Sequence, residues 1–207
     1  MSAIAVIGSG KIGGTLARAW ARAGHEVTFG ARDPGKPELR QLAAEIGART
    51  APMADAVRAA EVVLLAIPGA AMAETVAGLG ADLEGKVVID AANNVAGPVM
   101  HSAGAVASAA PGARYVRAFN TLGWELFADP VVDDVEVDLF HCGPGDDPDD
   151  NVEALIADVG LRPVWVGGPE EVDVVDGLVR LWFTLVRKRN LGRRLALRMI
   201  REDPPTQ

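Results

Sequence analysis

Short apolar stretches alternate with amphipathic stretches over the first 120 residues of the chain. The mostly apolar stretches have the length of strands and fall at residues 4–7, 27–29, 62–67, 87–89 and 115–119, with a further short strand at 49–50. The run at residues 62–67 is continuously apolar, which is typical of parallel strands that are buried on both faces. Helices are predicted between them, at residues 37–46, 53–60, 71–79 and 99–109. This alternation predicts an α/β fold with a doubly wound, mainly parallel sheet.

A glycine-rich turn follows the first predicted strand. Gly8, Gly10 and Gly13 have the spacing G-x-G-x-x-G, and mostly good helix formers follow at residues 15–20. The first glycine allows a tight turn, the second lets the backbone approach a pyrophosphate, and the third lets the helix pack against the strand. Free N–H groups at the start of the helix then face the phosphates. The turn predicts a Rossmann-type dinucleotide-binding domain, in which the remaining turn residues also contact the cofactor: Ser9, Lys11 and Ile12.

The pattern changes after residue 120. Strands are predicted at residues 135–142 and 163–166 and a helix at 151–159, and the Asp-, Gly- and Pro-rich residues 143–150 predict a loop. The last segment has no strand pattern. We therefore predict a cofactor-binding domain with additional strands at residues 1–168. A small helical C-terminal region follows at 169–207 and ends in a frayed tail at 202–207.

One face of the predicted C-terminal helix is strongly apolar. Leu178, Leu181, Trp182 and Leu185 follow the helical spacing i, i+3, i+4, i+7. Such a face must pack against the domain itself or against another chain. We predict a homodimer that uses it.

Composition and charge narrow the range of partners. The 207 residues are 49% hydrophobic and carry a formal net charge of −8, which argues against nucleic acid as a main partner. A single cysteine excludes an intrachain disulfide and suits a reducing compartment. No secretion signal is recognisable, and the longest apolar stretch is interrupted by Pro68 and Glu74. We expect a cytoplasmic protein without nucleic-acid or membrane partners.

The end of the second strand discriminates between the two nicotinamide cofactors. NAD sites usually carry an acidic residue there, on the ribose hydroxyls. This chain has Gly30 and Ala31 followed by Arg32, whose guanidinium suits the 2′-phosphate of NADP. Lys36 is a second candidate for the phosphate. Asp33 is counter-evidence, although Asp-Pro is also common turn chemistry; the alternative is that Arg32 is a solvated loop residue.

The other strand ends supply the remaining candidate residues, because a Rossmann cofactor lies across the carboxyl ends of the strands. We expect the fourth strand to cover the adenosine ribose or the pyrophosphate, through Ala66, Ile67 and Pro68. We expect the fifth and sixth strands to approach the nicotinamide, through Ala91, Asn93, Asn120 and Thr121. The asparagines have alternatives: Asn93 or Asn94 binds the carboxamide or serves as a turn residue, and Asn120 and Thr121 position an acceptor or cap the next segment.

Several segments, taken in this order, resemble the coenzyme F420:NADP oxidoreductase family. The likeness comprises the glycine turn, Gly24 to Val27, Gly30 and Arg32, and it continues at residues 65–68, 87–91, 117–122, 138–143 and 160–163. It covers most of the chain. The resemblance implies hydride transfer between NADPH and a deazaflavin, coenzyme F420, in a cleft between the Rossmann domain and a small C-terminal part.

The chain departs from the family pattern at three places. Ala31 stands where Ser or Thr is typical, which removes one hydroxyl contact with the 2′-phosphate. Gly69 stands where Trp often follows the proline, and Asn120 begins a segment that often reads His-Thr-Ile-Pro. The last two differences lie on the acceptor side. They leave open a flavin, metal or quinone acceptor, or a non-catalytic NADP-binding sensor.

Two groups of polar residues invite a chemical role. His141 and Cys142 cannot form a zinc site by themselves, so we predict that they pack in the core or at the sheet edge and that the chain has no metal site. We assign no catalytic residue, because hydride transfer between two rings requires alignment more than acid–base groups. Seven basic residues between Arg187 and Arg201 are predicted on a helix. Three interpretations are open for these residues: they recognise the anionic tail of a deazaflavin, they form a solvated helix end, or they form an ion-pair surface between subunits.

Overall fold

The computed structural model describes residues 1–202 and contains a central sheet of six parallel strands in the order β3-β2-β1-β4-β5-β6. The strands are Ala3–Ile7 (β1), Glu26–Ala31 (β2), Arg49–Pro52 (β3), Val62–Leu65 (β4), Val87–Asp90 (β5) and Arg114–Arg117 (β6). The direction of winding reverses between β1 and β4, which creates a crevice at the carboxyl ends of these strands. The predicted Rossmann-type α/β fold is confirmed.

Helices cover both faces of this sheet. They are Lys11–Arg22 (α1), Pro37–Ile46 (α2), Met53–Arg58 (α3), Met72–Leu79 (α4), Ala103–Ala109 (α5), Glu125–Ala128 (α6), Asp150–Ala157 (α7) and Val172–Phe183 (α8). In β1, Ile4 and Val6 face one apolar cluster, while Ala5 and Ile7 face the other. Both faces of the strand are therefore buried, which explains its uninterrupted apolar run.

The additional strands differ from the prediction. Residues 135–142 form two strands: Val135–Glu136 (β8) pairs antiparallel with Val131–Val132 (β7), and Asp138–His141 (β9) pairs parallel with Arg162–Trp165 (β10). The turn of the short β7–β8 hairpin contains Asp133 and Asp134, both of which have positive φ. A bridge between Arg117 and Cys142 joins β9 to the edge of the main sheet.

The C-terminal basic segment is not one helix, contrary to the prediction. After α8 a π-helical turn spans Thr184–Lys188, and residues 189–202 have no regular secondary structure. Asn190 has a φ of 54°, which ends the helical path. The helix predicted at 99–109 likewise begins only at Ala103. Residues 203–207 of the predicted tail lie outside the described residues, and the division at residue 168 stays a prediction.

The apolar face of α8 packs against the chain's own C-terminal segment. Trp182 Nε1 donates to the carbonyl of Leu195 at 3.1 Å, and Arg193 and Arg198 anchor the segment on Glu125 and Asp138. Leu181 stays 43% exposed, and the homodimer stays a prediction. Within residues 1–202, no helix has both the length and the apolar character to cross a bilayer.

Candidate cofactor site and its buried ion pair

The glycine turn between β1 and α1 contains two positions that the protein's own backbone restricts to glycine. Gly8 has a φ of 109°, and a Cβ there would collide with the carbonyl of Ala66. A Cβ on Gly13 would collide with the carbonyl oxygen of Gly8. Gly10 differs, because a Cβ there would meet no protein atom within 4 Å. Space is therefore open beside the backbone at Gly10.

The start of α1 adds donors to this open space. Gly10 is the N-cap, no side chain caps the helix, and its first turn carries no acidic residue. Lys11 Nζ lies 5.0 Å from the centre of the Trp124 ring, on the segment after β6. Ile12 is half-buried and packs on the core. Unpaired N–H groups and a nearby ammonium suit a phosphate.

A cavity of about 150 Å³ extends from the glycine turn to the end of β2. Five of the predicted residues line it together: Gly8, Ser9, Ala31, Arg32 and Ile67. Lys36 is not part of this lining, and its Nζ lies 3.9 Å from Glu38. Asp33 accepts the backbone N–H of Gly35 at 3.0 Å, so its carboxylate belongs to its own turn.

Arg32 is exposed and free of carboxylate partners within residues 1–202. The ion pairs of the neighbouring elements α1, α2, β2 and β3 engage Arg18, Lys36 and Arg49 instead. The side chain that the sequence assigns to a 2′-phosphate is thus available for an external anion.

The end of β4 joins the glycine turn to the loop after β5. Ala66 donates its N–H to the carbonyl of Ile7 at 2.9 Å, and Pro68 precedes a single 3₁₀ turn. A Cβ on Gly69 would lie 2.5 Å from Cα of Asn94. The β5 loop therefore occupies the space that a larger residue would need, and this close approach accounts for glycine at position 69.

A buried ion pair that the sequence did not reveal supports the ends of β5 and β6. Arg117 and Asp176 are both fully buried, and Nε and Nη2 of Arg117 lie 2.9 and 2.7 Å from Oδ1 of Asp176. Nη1 of Arg117 lies 3.2 Å from Oδ1 of Asp90. The pair thus joins β5, β6 and α8. The available signal in the sequence was a polar residue in each apolar strand, Asp90 in β5 and Arg117 in β6. The partner of Arg117, Asp176 on α8, lies 59 residues further along the chain.

Asp90 is held by neutral donors as well. It accepts hydrogen bonds from Tyr115 Oη at 2.9 Å, from Ser102 N at 2.7 Å and from Ala92 N at 3.0 Å. Burial, together with the adjacent Asp90 carboxylate, raises the pKa of Tyr115 well above its usual value. The phenol therefore remains a donor to the carboxylate at neutral pH.

The amide of Asn93 is already engaged within the protein. Its Oδ1 accepts from Arg117 Nη2 at 2.7 Å, and its Nδ2 donates to the carbonyl of Asn120 at 2.8 Å. The Asn120 amide faces Asp176 and Arg117. These contacts favour a role in tying the two loops together over direct binding of a carboxamide.

The backbone after β6 has an unusual conformation. Phe119 has a φ of 60° and is fully buried between Trp20 and Phe127, with both ring centres 5.7 Å away. This packing holds a conformation that non-glycine residues seldom adopt. It turns Asn120 and Thr121 away from the strand. Thr121 Oγ1 is buried and has no hydrogen-bond partner among the described residues. Ala91, after β5, is also buried.

His141 and Cys142 lie in the core, as predicted. Burial lowers the pKa of His141 to about 4 and raises the pKa of the Cys142 thiol to about 12. Both side chains are therefore neutral at pH 7 and suit packing rather than chemistry.

One further group has the composition of a metal site. Ligand-type atoms of His101, Asp173 and Asp176 lie within 4.8 Å of one another. Nδ1 of His101 accepts the N–H of Ala103 at 3.3 Å, which places the proton of a neutral imidazole on Nε2, facing Asp173 at 3.8 Å. A protonated Nε2 donates a hydrogen bond and does not bind a metal. The geometry of these three side chains therefore fits an imidazole N–H that faces carboxylates, and not a set of metal ligands.

The comparisons with known proteins agree with this geometry. Residues 3–94 match the family model described as NADP oxidoreductase, coenzyme F420-dependent. A structure from Arthrobacter sp. FB24, provisionally described as an F420-dependent NADP reductase, is 25% identical with a TM-score of 0.80, covering 97% of this chain and all of the other. A hypothetical protein from Sinorhizobium meliloti is 30% identical with a TM-score of 0.65, covering 81% of this chain and 86% of the other.

An imine reductase from Aspergillus terreus, in complex with NADPH4, shares the fold. It is 20% identical with a TM-score of 0.69, and the match covers 91% of this chain and 63% of the other. The family match spans the glycine turn, the Arg32 cavity and the ends of β4 and β5. Residues 3–94 of this chain therefore form a domain of the coenzyme F420-dependent NADP oxidoreductase type, and the chain is an NADP-dependent oxidoreductase.

Proposed function

We propose that the chain transfers a hydride between NADP(H) and coenzyme F420, a deazaflavin that binds as the second substrate. One observation carries the proposal: an open glycine turn and an arginine that has no carboxylate partner among residues 1–202 border the same cavity. The family description and the Arthrobacter relative's description both favour F420 as the acceptor.

The roles of the individual residues are part of this proposal. Gly10 and the first N–H groups of α1 take the pyrophosphate, and Arg32 takes the 2′-phosphate, with Lys36 nearby. Ala66, Ile67 and Pro68 flank the adenosine side. The backbone around Ala91, Asn93, Asn120 and Thr121 flanks the nicotinamide side. The site fits a dinucleotide, because a Cβ at Gly10 would fill space that no protein atom occupies.

The protein contributes alignment to this reaction. When bound, NADPH supplies the hydride. Asn93 and Arg117 fix the loops after β5 and β6 to each other, so that both loops present a rigid surface to the reacting rings. Two rings held at a fixed distance need no acid–base residue for the hydride step.

The acceptor is tested by mixing the pure protein with NADPH and F420 without oxygen. We expect the deazaflavin's visible absorbance band to bleach at a rate that depends on protein concentration. FMN, a quinone and a cyclic imine serve as parallel acceptors. Persistence of the band while fluorescence shows bound NADPH would overturn F420 as the acceptor. Turnover of a parallel acceptor would then identify the substrate, and no turnover at all would support the sensor.

The substitution Arg32→Gln tests the preference for NADP. It preserves most of the side-chain length and removes the charge, so charge-assisted hydrogen bonds to a phosphate are lost. Such bonds contribute about 1.5–3 kcal/mol, so we expect the Kd for NADPH to rise roughly 10- to 100-fold. The Kd for NADH should stay the same.

Arg40→Gln is the matched control, because Arg40 is an exposed arginine on α2 outside the cavity lining. It should leave both constants unchanged. An equal loss of NADPH and NADH affinity in Arg32→Gln would contradict the assignment.

A further inference from the structure

A second cavity, of about 410 Å³, lies between the loop after β5 and the C-terminal half of α8. Its walls combine apolar surface with cations. Val95, Pro98, Met100 and Phe183 contribute the apolar part, and the cations are Arg180, Arg187 and Lys188. The lining contains no carboxylate. A cavity of this composition suits an elongated anion.

Six of the basic residues in and after α8 fall into two groups. Arg193, Arg194 and Arg198 pair with Glu125, Asp129 and Asp138, respectively. The second group comprises the three cavity cations, which form no ion pair with any residue between 1 and 202. In a chain of net charge −8, three adjacent cations without a carboxylate are a local reversal of sign.

The cavity cations are partly preorganised. The Arg187 guanidinium lies 4.6 Å from the centre of the Phe183 ring, which restricts it without occupying its N–H groups. Arg187 and Lys188 both lie in the π-helical turn Thr184–Lys188. Such turns are rare and occur frequently at functional sites. The favourable interaction of cations with a helix C-terminus explains their sign, but it does not explain a cavity beside them.

The cavity lies on the same edge of the sheet as the nicotinamide side of the proposed cofactor site. Its loop continues directly from Ala91 and Asn93, and Asn94 donates its N–H to the carbonyl of Met100 at 3.0 Å. We propose that this cavity binds the anionic tail of the acceptor, the phosphodiester and carboxylates that follow the ring system of a deazaflavin cofactor. This inference rests on the proposed function and adds a specificity site to it.

The test measures acceptor binding separately from turnover. Arg187→Gln/Lys188→Gln is compared with Arg22→Gln/Arg40→Gln, which removes two exposed cations elsewhere. Binding is followed by quenching of deazaflavin fluorescence without NADPH. We expect the first variant to raise the Kd for F420 about tenfold at low salt and to lower its salt dependence, because two screened charge contacts are lost. The control variant should have an unchanged Kd for F420, and the Kd for NADPH should not change in either variant.

A deazaflavin truncated after its ribityl chain tests the tail site separately from the proposed hydride transfer to F420. The wild type should bind F420 about tenfold more tightly than the truncated form, and the variant should bind both about equally. Equal binding of both by the wild type, with normal reduction by NADPH, would overturn the tail site and leave the proposed function intact. A variant that dissociates a dimer in light scattering, with an unchanged Kd for F420, would assign the patch to a subunit interface instead. Absence of reduction of either ring with NADPH bound would overturn the proposed function.

Discussion

Replacing Arg117 with methionine should lower the free energy of unfolding by about 3–5 kcal/mol, which is a large fraction of the stability of a typical domain. The substitution leaves Asp176 fully buried and removes the donors to its Oδ1 at 2.7 and 2.9 Å. Asp90 is affected less, because Tyr115, Ser102 and Ala92 still donate to it. Most of the cost therefore arises from one uncompensated carboxylate. Urea denaturation followed by circular dichroism measures it.

Two further variants show whether this cost arises from the buried charge. Arg117→Met/Asp176→Leu removes both charges, so more than half of the lost stability should return, because replacing a buried pair with apolar residues is often close to neutral. Arg114→Met lies on the same strand, but Arg114 is 51% exposed in its pair with Asp149, so its cost should stay below about 1 kcal/mol. A double variant that is no more stable than Arg117→Met would show that volume, and not charge, dominates.

Alanine at Gly10 and at Gly13 should separate cofactor binding from folding. A methyl at Gly10 meets no protein atom, so Gly10→Ala should change the free energy of unfolding by less than about 1 kcal/mol. The same methyl occupies the space proposed for the pyrophosphate. Steric conflict of about 1–3 kcal/mol raises the Kd for NADPH roughly 10- to 100-fold. Calorimetric titration measures the affinity.

Gly13→Ala should reduce both stability and binding, because its methyl collides with the Gly8 carbonyl and forces α1 away from β1. We expect a loss of about 1–3 kcal/mol of stability and a larger fall in affinity than in Gly10→Ala. Gly78→Ala is the matched control: it lies in α4 with nothing within 4 Å of its Cβ, and a helical alanine should add about 0.5–1 kcal/mol. Unchanged NADPH affinity in Gly10→Ala would contradict the placement of the pyrophosphate.

The main sheet was predictable because its signals are local. Most of its buried strands are apolar runs, and the glycine turn has a fixed spacing after β1. The basic segment was mispredicted because its composition resembles a helix, while Asn190 adopts a positive φ. Three of its arginines then pair with carboxylates 60 or more residues earlier, such as Arg193 with Glu125. Such partners are set by tertiary packing and leave no mark on local sequence.

The candidate site also has features that the sequence predicted and features that it did not. The sequence predicted that Ser9, Arg32 and Ile67 would contact one dinucleotide from the ends of three parallel strands, and all three line one cavity. It did not predict that the Asn93 amide would be engaged by Arg117 and Asn120. An asparagine at a strand end looks the same in the sequence whether it faces a ligand or a neighbouring loop.

The single cysteine has a practical consequence for experiments in solution. Cys142 is fully buried, and its thiol stays protonated far above neutral pH. The thiolate is the form that reacts with maleimides and iodoacetamides, so we expect the folded native chain to react very slowly with these reagents. A cysteine introduced on the surface therefore accepts a fluorophore or a spin label selectively. With one cysteine introduced on α8 and a second near the glycine turn, the distance between them becomes measurable without first removing the native thiol.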